Sequence, residues 1–193
     1  MKRVTVFCGS STGTDEAFKA QAFLLGQRLA EQNIGLVYGG ARMGLMGIVA
    51  DGAINKGGEV IGVLPYFLQE REIAHEGLTN LILVESMHER KTKMNDLSEG
   101  VIGLPGGFGT LEELLEMITW AQLGLHKKPV AILNVNGFYD SLISLLDTMV
   151  EKGFLKPLSK KMLLMSDNIE DMLQQMKDYV APPFDEWITK EKL

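Results

Sequence analysis

The sequence predicts an α/β fold, a Rossmann-like doubly wound parallel sheet sandwiched between helices in a single domain. Three observations predict it. Short, nearly continuous apolar runs alternate with longer segments of helical spacing along the chain, as parallel strands buried on both faces and joined by crossover helices require. Glycine-rich turns follow three of those runs, at Gly9, at Gly39-Gly40 and at Gly106-Gly107. A chain of 193 residues with 46% hydrophobic composition holds one sizeable core and is short for two. The domain is assigned to residues 1–180, and residues 181–193 form a C-terminal tail.

Residues 3–8 read as a first strand, and the small-residue turn of residues 9–14 leads into a helix predicted over 15–32, with Phe18, Ala22, Leu25 and Leu29 on one face. Gly35-Leu36-Val37-Tyr38 is a second strand, residues 39–44 a loop, and the spacing predicts a helix over 45–56. A third strand covers residues 59–64 and ends at Pro65. Residues 66–77 carry Glu70, Arg71, Glu72, His75 and Glu76 without a clean period and read as a loop or short helix over a site. Residues 81–84 make another strand, and the polar segment from Met87 is helical to Leu97. The apolar run of residues 100–104 is the next strand, followed by a glycine loop and a helix expected to open at Thr110. Residues 129–133 begin a further unit whose helix starts near Tyr139. Residues 162–165 make a last strand, and residues 169–179 a last helix.

Composition and charge exclude several functions. A formal net charge of −6 argues against general affinity for nucleic acid polymers or anionic membranes, so any anion site is local. Cys8 is the one cysteine, which rules out an intrachain disulfide and a cysteine zinc cluster and fits a reducing cytoplasm. Met1-Lys2-Arg3 ahead of an apolar run superficially resembles a secretory signal, but the run is too short and gives way to Gly9-Ser10-Ser11-Thr12-Gly13. No apolar run approaches the roughly 20 residues of a membrane helix. The expectation is a soluble, cytoplasmic protein.

In doubly wound folds, ligands sit beyond the carboxyl ends of the strands, where the three glycine loops converge. The richest of these is Gly103-Leu104-Pro105-Gly106-Gly107-Phe108-Gly109-Thr110. Its glycines let backbone approach an anion, and the helix that follows offers unpaired N–H groups and the positive end of its dipole. Glu112, Glu113 and Glu116 come next, a phosphate cradle with acids beside it. Thr110-Leu111-Glu112-Glu113 also matches a capping box, in which Glu113 only satisfies a backbone N–H. Leu111, Leu114, Leu115 and Ile118 share one side of the helix, and Glu112, Glu116 and Thr119 another, with Glu113 beside them. Neither glycine loop spells Gly-x-Gly-x-x-Gly and no Walker sequence occurs, which weakens a dehydrogenase or a P-loop nucleotidase. Arg90 and Lys91 are either exposed charges or the grip on a phosphate or carboxylate. His75, His88 and His126 are too scattered for metal ligands, so no metal is assigned. Met117, Trp120 and residues 123–125 are candidate interface residues.

Together, Met87-His88-Glu89-Arg90-Lys91 and Pro105-Gly106-Gly107-Phe108-Gly109-Thr110-Leu111-Glu112-Glu113 resemble the paired signatures of the Lonely Guy family of cytokinin-activating phosphoribohydrolases. Members are often mislabelled lysine decarboxylases, yet the pyridoxal-bearing lysine such an enzyme needs has no visible constellation here. The likeness runs from Phe7-Cys8-Gly9-Ser10-Ser11 through Val37-Tyr38-Gly39-Gly40 to Thr119-Trp120-Ala121-Gln122-Leu123-Gly124. It implies hydrolysis of the N-glycosidic bond of nucleoside 5′-monophosphates, N6-substituted adenosine monophosphates foremost, without metal or cofactor and in a homodimer. By motif position, Arg90 and Glu113 are then catalytic. Glu72, Lys91, Gly106, Gly107, Phe108, Gly109, Thr110, Leu111, Glu112 and Thr119 contact the nucleotide, beside the loops at Gly9-Ser10 and Gly39-Gly40. The superfamily also holds non-hydrolytic nucleotide and molybdenum-cofactor carriers, which makes a binding module the alternative.

Overall fold

The structure is a computed structural model that describes residues 1–69 and 74–182. Seven strands among these residues form one parallel sheet: β1 (Arg3–Phe7), β2 (Gly35–Tyr38), β3 (Val60–Pro65), β4 (Asn80–Val84), β5 (Val101–Gly103), β6 (Val130–Leu133) and β7 (Leu163–Ser166). Their spatial order is β4-β3-β2-β1-β5-β6-β7. The chain winds outward from β1 in one direction, then returns to lay β5 on its other side. Thr5 pairs with Val37 of β2 and with Val101 of β5, so the order reverses between β1 and β5. At such a reversal the connections leave the strand ends in opposite directions and open a crevice.

Helices α1 (Glu16–Glu31), α2 (Gly44–Asn55) and α7 (Ile169–Asp178) cover one face of the sheet, while α3 (Met87–Leu97), α4 (Phe108–Gln122) and α5 (Asp140–Glu151) cover the other. The strand residues alternate between two cores. Val4, Val6 and Cys8 pack with Leu25, Val49 and Met172, whereas Phe7, Val37 and Ile132 pack with Met94, Leu114 and Met117. A short helix α6 (Pro157–Lys160) lies between α5 and β7 in chain order. Its four residues carry too little period to be seen in the sequence.

Local chemistry sets the helix ends. Asp15 accepts a hydrogen bond from the Ala17 N–H at 2.9 Å and caps α1, and Ser86 accepts from the Glu89 N–H at 3.1 Å and caps α3. The same α3 is tied to β1 from beneath: the hydroxyls of Thr5 and Ser98 lie 3.0 Å apart, and each lies 3.0 Å from the Met94 carbonyl oxygen. The segment expected as a loop or short helix holds a 3-10 turn at Tyr66–Leu68 and a bridge between Ala41 and Ala74. Glu72 lies outside the described residues, as do residues 183–193 of the expected tail. Among the described residues no helix is long and apolar enough to cross a membrane.

Candidate active site

The crevice between β1 and β5 is closed below by interlocked loops. The Gly9 N–H donates to the Pro105 carbonyl at 3.0 Å, and the Gly9 carbonyl accepts from the Leu45 N–H at 3.0 Å. Gly106 packs so tightly into this junction that a Cβ there would fall 2.1 Å from Thr110 Oγ1 and 2.8 Å from the Gly9 nitrogen. The second glycine of the pair then becomes the N-cap of α4, and it supplies no side-chain cap hydrogen bond. The N-cap residue thus leaves the first-turn N–H groups of α4, at the positive end of the helix, without a side-chain cap.

This corrects the capping-box reading. The helix opens at Phe108, two residues before the expected start, so Thr110 is its third residue and Glu113 lies beyond the first turn. Glycine can hold the N-cap conformation without a hydroxyl, which is why propensity at Thr110 misplaced the boundary. Glu113 therefore does not stand at the capping-box position of this helix.

Above the junction lies a cavity of about 320 Å³. One wall is backbone and small side chains, Gly9, Ser10, Gly107, Gly109 and Thr110, with Phe108 beside them. The opposite wall is soft and apolar, made of Cys8, Met46, Leu68 and Met87. Two charged residues complete the lining, Arg90 from α3 and Glu113 from α4. Arg90 is only 6% exposed. Its Nη2 donates to the Gly39 carbonyl at 3.1 Å, Nη1 faces the Met87 sulfur at 3.8 Å, and Nε is buried with no hydrogen-bond partner among the described residues. Cys8 reports on the same charges: burial pushes its thiol well above the usual range, the Glu113 carboxylate adds to the rise, and Arg90 opposes it. The thiol is therefore protonated at neutral pH and is a poor nucleophile.

The structure thus brings Arg90, Glu113, Gly9, Ser10, Gly107, Phe108, Gly109 and Thr110 to one cavity. Gly106 lies in the junction beneath it, beside a second hollow of about 300 Å³ across Gly9 and Ser10. Other expected contacts go elsewhere. Lys91 is 4% exposed and outside the cavity lining, and its Nζ lies 2.5 Å from Glu112 Oε1 and 2.9 Å from Glu116 Oε2. Burial pulls its pKa down, but the hydrogen bond it donates to Glu112 and the nearby carboxylate of Glu116 outweigh that and the net shift is upward, so it is an ammonium. Glu112 is correspondingly committed to Lys91. Leu111 packs against the second core, and the hydroxyl of Thr119, on the exposed side of α4, is back-bonded to the Leu115 carbonyl at 2.7 Å. Gly39 serves Arg90 through its carbonyl, and Gly40 accepts from the His75 N–H at 3.1 Å.

Met117, offered as an interface residue, is fully buried in the core, while Leu123 and Leu125 are exposed. His126 is structural: Nδ1 accepts from the Lys128 N–H at 3.2 Å, so Nε2 carries the proton and donates to the Met117 carbonyl at 2.9 Å. The sequence reading missed the cavity's apolar wall. Met46 stood in no motif, while Cys8 and Met87 stood inside the stretches that carry the resemblance but were given no contact of their own; their register at strand and helix ends near the crevice was the signal that could have pointed to them.

The family model described as "Possible lysine decarboxylase" matches residues 46–176. The chain is 45% identical over 189 residues to cytokinin riboside 5'-monophosphate phosphoribohydrolase LOG7 of Arabidopsis thaliana, covering 98% of this chain and 87% of that protein. It is 48% identical over 179 residues to LOG1 of the same plant, covering 93% and 84%. Among solved structures, the molybdenum cofactor binding protein of Rippkaea orientalis superposes with a TM-score of 0.68 at 21% identity, covering 92% of this chain and 96% of that one. The molybdenum cofactor carrier protein of Chlamydomonas reinhardtii gives 0.67 at 19%, covering 91% and 95%. At those identities the likeness is one of fold. The identities to the plant enzymes, held over nearly the whole chain, and the family match over its middle establish that this chain belongs to the Lonely Guy family of phosphoribohydrolases.

Proposed function

We propose that the chain hydrolyses the N-glycosidic bond of a nucleoside 5′-monophosphate, an adenosine monophosphate or its N6-substituted form, to free base and ribose 5-phosphate. The observation that carries this reading is the meeting of Arg90, Glu113 and the uncapped first turn of α4 in one cavity. A carrier needs the cradle but has no use for a carboxylate beside a cation. The names of the relatives, cytokinin riboside 5'-monophosphate phosphoribohydrolases, point the same way.

In this mechanism the 5′-phosphate sits on the N–H groups of residues 107–110, where helix dipole and free donors favour an anion. The bond between C1′ and the base nitrogen breaks, its electrons leave with the base, and positive charge develops on the ribose. Glu113 stabilises that charge and takes a proton from the water whose oxygen bonds C1′; that proton then passes through solvent to the departing base, which leaves neutral and returns Glu113 to its carboxylate. Arg90, buried and with Nε turned to no described partner, orients the nucleotide against Glu113. A dianionic anchor remote from the breaking bond also explains a preference for nucleotide over nucleoside.

The site residues are tested together. Wild-type protein incubated with AMP and with N6-isopentenyl AMP should release free base, detected by chromatography. Arg90→Ala and Glu113→Ala should each lower turnover by about 10²-fold or more with the fold retained. Tight nucleotide binding with no base released would instead favour a carrier.

The reading includes a homodimer. Leu115, Leu123 and Leu125 are exposed on and just beyond α4, and Phe108 at its start is 94% exposed on the rim of the cavity. A second copy seated there would cover this apolar surface and lie beside the site. The free thiol of Cys8 suits a reducing compartment, and a cytoplasmic location is part of the proposal.

A further inference from the structure

Arg90 and Lys91 are consecutive on α3, so their side chains leave the helix roughly 100° apart. Arg90 turns to the end of β2, where its Nη2 meets the Gly39 carbonyl at 3.1 Å. Lys91 turns to α4, where its Nζ reaches Glu112 at 2.5 Å and Glu116 at 2.9 Å. Those two carboxylates stand one helical turn apart and bracket the Glu113 position. A single buried ammonium thus grips α4 over a full turn, beside the carboxylate that lines the cavity. The other end of the grip is rigid, because Thr5 and Ser98 tie α3 to the central strand.

We propose that Lys91 is a positioning residue: it clamps α4 to α3 through Glu112 and Glu116, sets Glu113 against Arg90, and does not touch the nucleotide. This rests on the reading of Arg90 and Glu113 given above, and it departs from the nucleotide contact that the family resemblance implies for Lys91. The dipeptide then works as a bracket with one arm on each side of the cavity. Breaking the α4 arm lets Glu113 drift relative to the sugar, and displacements near 1 Å cost about 10²-fold in rate.

The experiment measures kcat and KM for AMP hydrolysis in the wild type, Lys91→Gln, Glu116→Gln and the double variant, with circular dichroism to confirm folding. Lys91→Gln should lower kcat about 10- to 100-fold with KM held within about twofold. The double variant should be no worse than the weaker single one, because both break the same clamp. A KM raised tenfold or more with kcat retained, or losses that multiply in the double variant, would overturn the proposal. If Lys91→Gln does not fold, Glu116→Gln alone carries the test, since it leaves the Lys91–Glu112 pair in place. Lowered kcat at constant KM supports the clamp, and unchanged kcat overturns it. A wild type that binds AMP and releases no base would contradict the hydrolase reading instead. The clamp would then be judged on AMP affinity, which should be unchanged in Lys91→Gln and would overturn the clamp if it fell tenfold.

Discussion

At Gly39 the missing side chain makes room for Arg90. A Cβ there would sit 2.1 Å from Arg90 Nη2 and 3.0 Å from the Met46 sulfur, so Gly39→Ala must shift the guanidinium from its present place. The account predicts that Gly39→Ala lowers turnover by about 10²-fold while the melting temperature moves little, checked by steady-state kinetics beside thermal denaturation. Unchanged kcat would mean that Arg90 need not occupy this position. Gly39 was legible in the sequence as a member of a glycine loop, but its purpose was not. Glycine pairs arise wherever a βα turn is tight, and only coordinates reveal that this one yields space to a residue 51 positions away. Arg90 and Glu113 could be singled out for a different reason, since both stand inside motifs specific enough to propose roles by resemblance, and the structure brings both to one cavity. The ion pairs of Lys91 with Glu112 and Glu116 were not legible, because spacing gives a side chain's position on a helix and not the neighbour across from it.

The helix that carries Glu113 is anchored at its far end by His126, whose Nε2–H donates to the Met117 carbonyl of α4. Burial lowers the pKa of this imidazole, the Met117 bond opposes the shift, and nearby Lys128 adds to it. The folded value thus lies below the unfolded one, so the contribution to stability is fully present above about pH 6.5 and declines as the pH falls from there toward the folded value. Protonation would also deprive the Lys128 N–H of its acceptor at Nδ1. The wild type should therefore lose melting temperature between about pH 7 and pH 5.5, and His126→Asn should flatten that slope, as read by thermal melts across the range. An equal slope in both proteins would remove His126 from the explanation. Most elements of the sheet and its helices were legible from period alone, because buried parallel strands and amphipathic helices advertise themselves. The start of α4 was not, since a glycine N-cap leaves no polar side chain to mark it, and α6 has only four residues.

For the molecule as a whole, the seven-stranded order places the reversal point between β1 and β5, and Arg90, Glu113 and the glycine loops gather there. The two sides of the crevice come from distant parts of the chain: α3 and the end of β2 carry the cation, and α4 carries the acid. The sequence could predict that the loops converge, yet the strand order that decides which two loops flank the crevice is a tertiary outcome. Exposed apolar residues along α4 lead to a prediction at this scale. The wild type should sediment as a dimer at micromolar concentration, and Leu115→Glu should shift it toward monomer, as measured by analytical ultracentrifugation. A monomeric wild type would contradict the assembly without touching the chemistry. The chemistry is tested most directly by following AMP binding and base release side by side in the wild type and Glu113→Gln. The account predicts that the variant binds AMP within a few-fold of wild type but releases adenine about 10²-fold more slowly or worse. Adenine release by Glu113→Gln at the wild-type rate would contradict it.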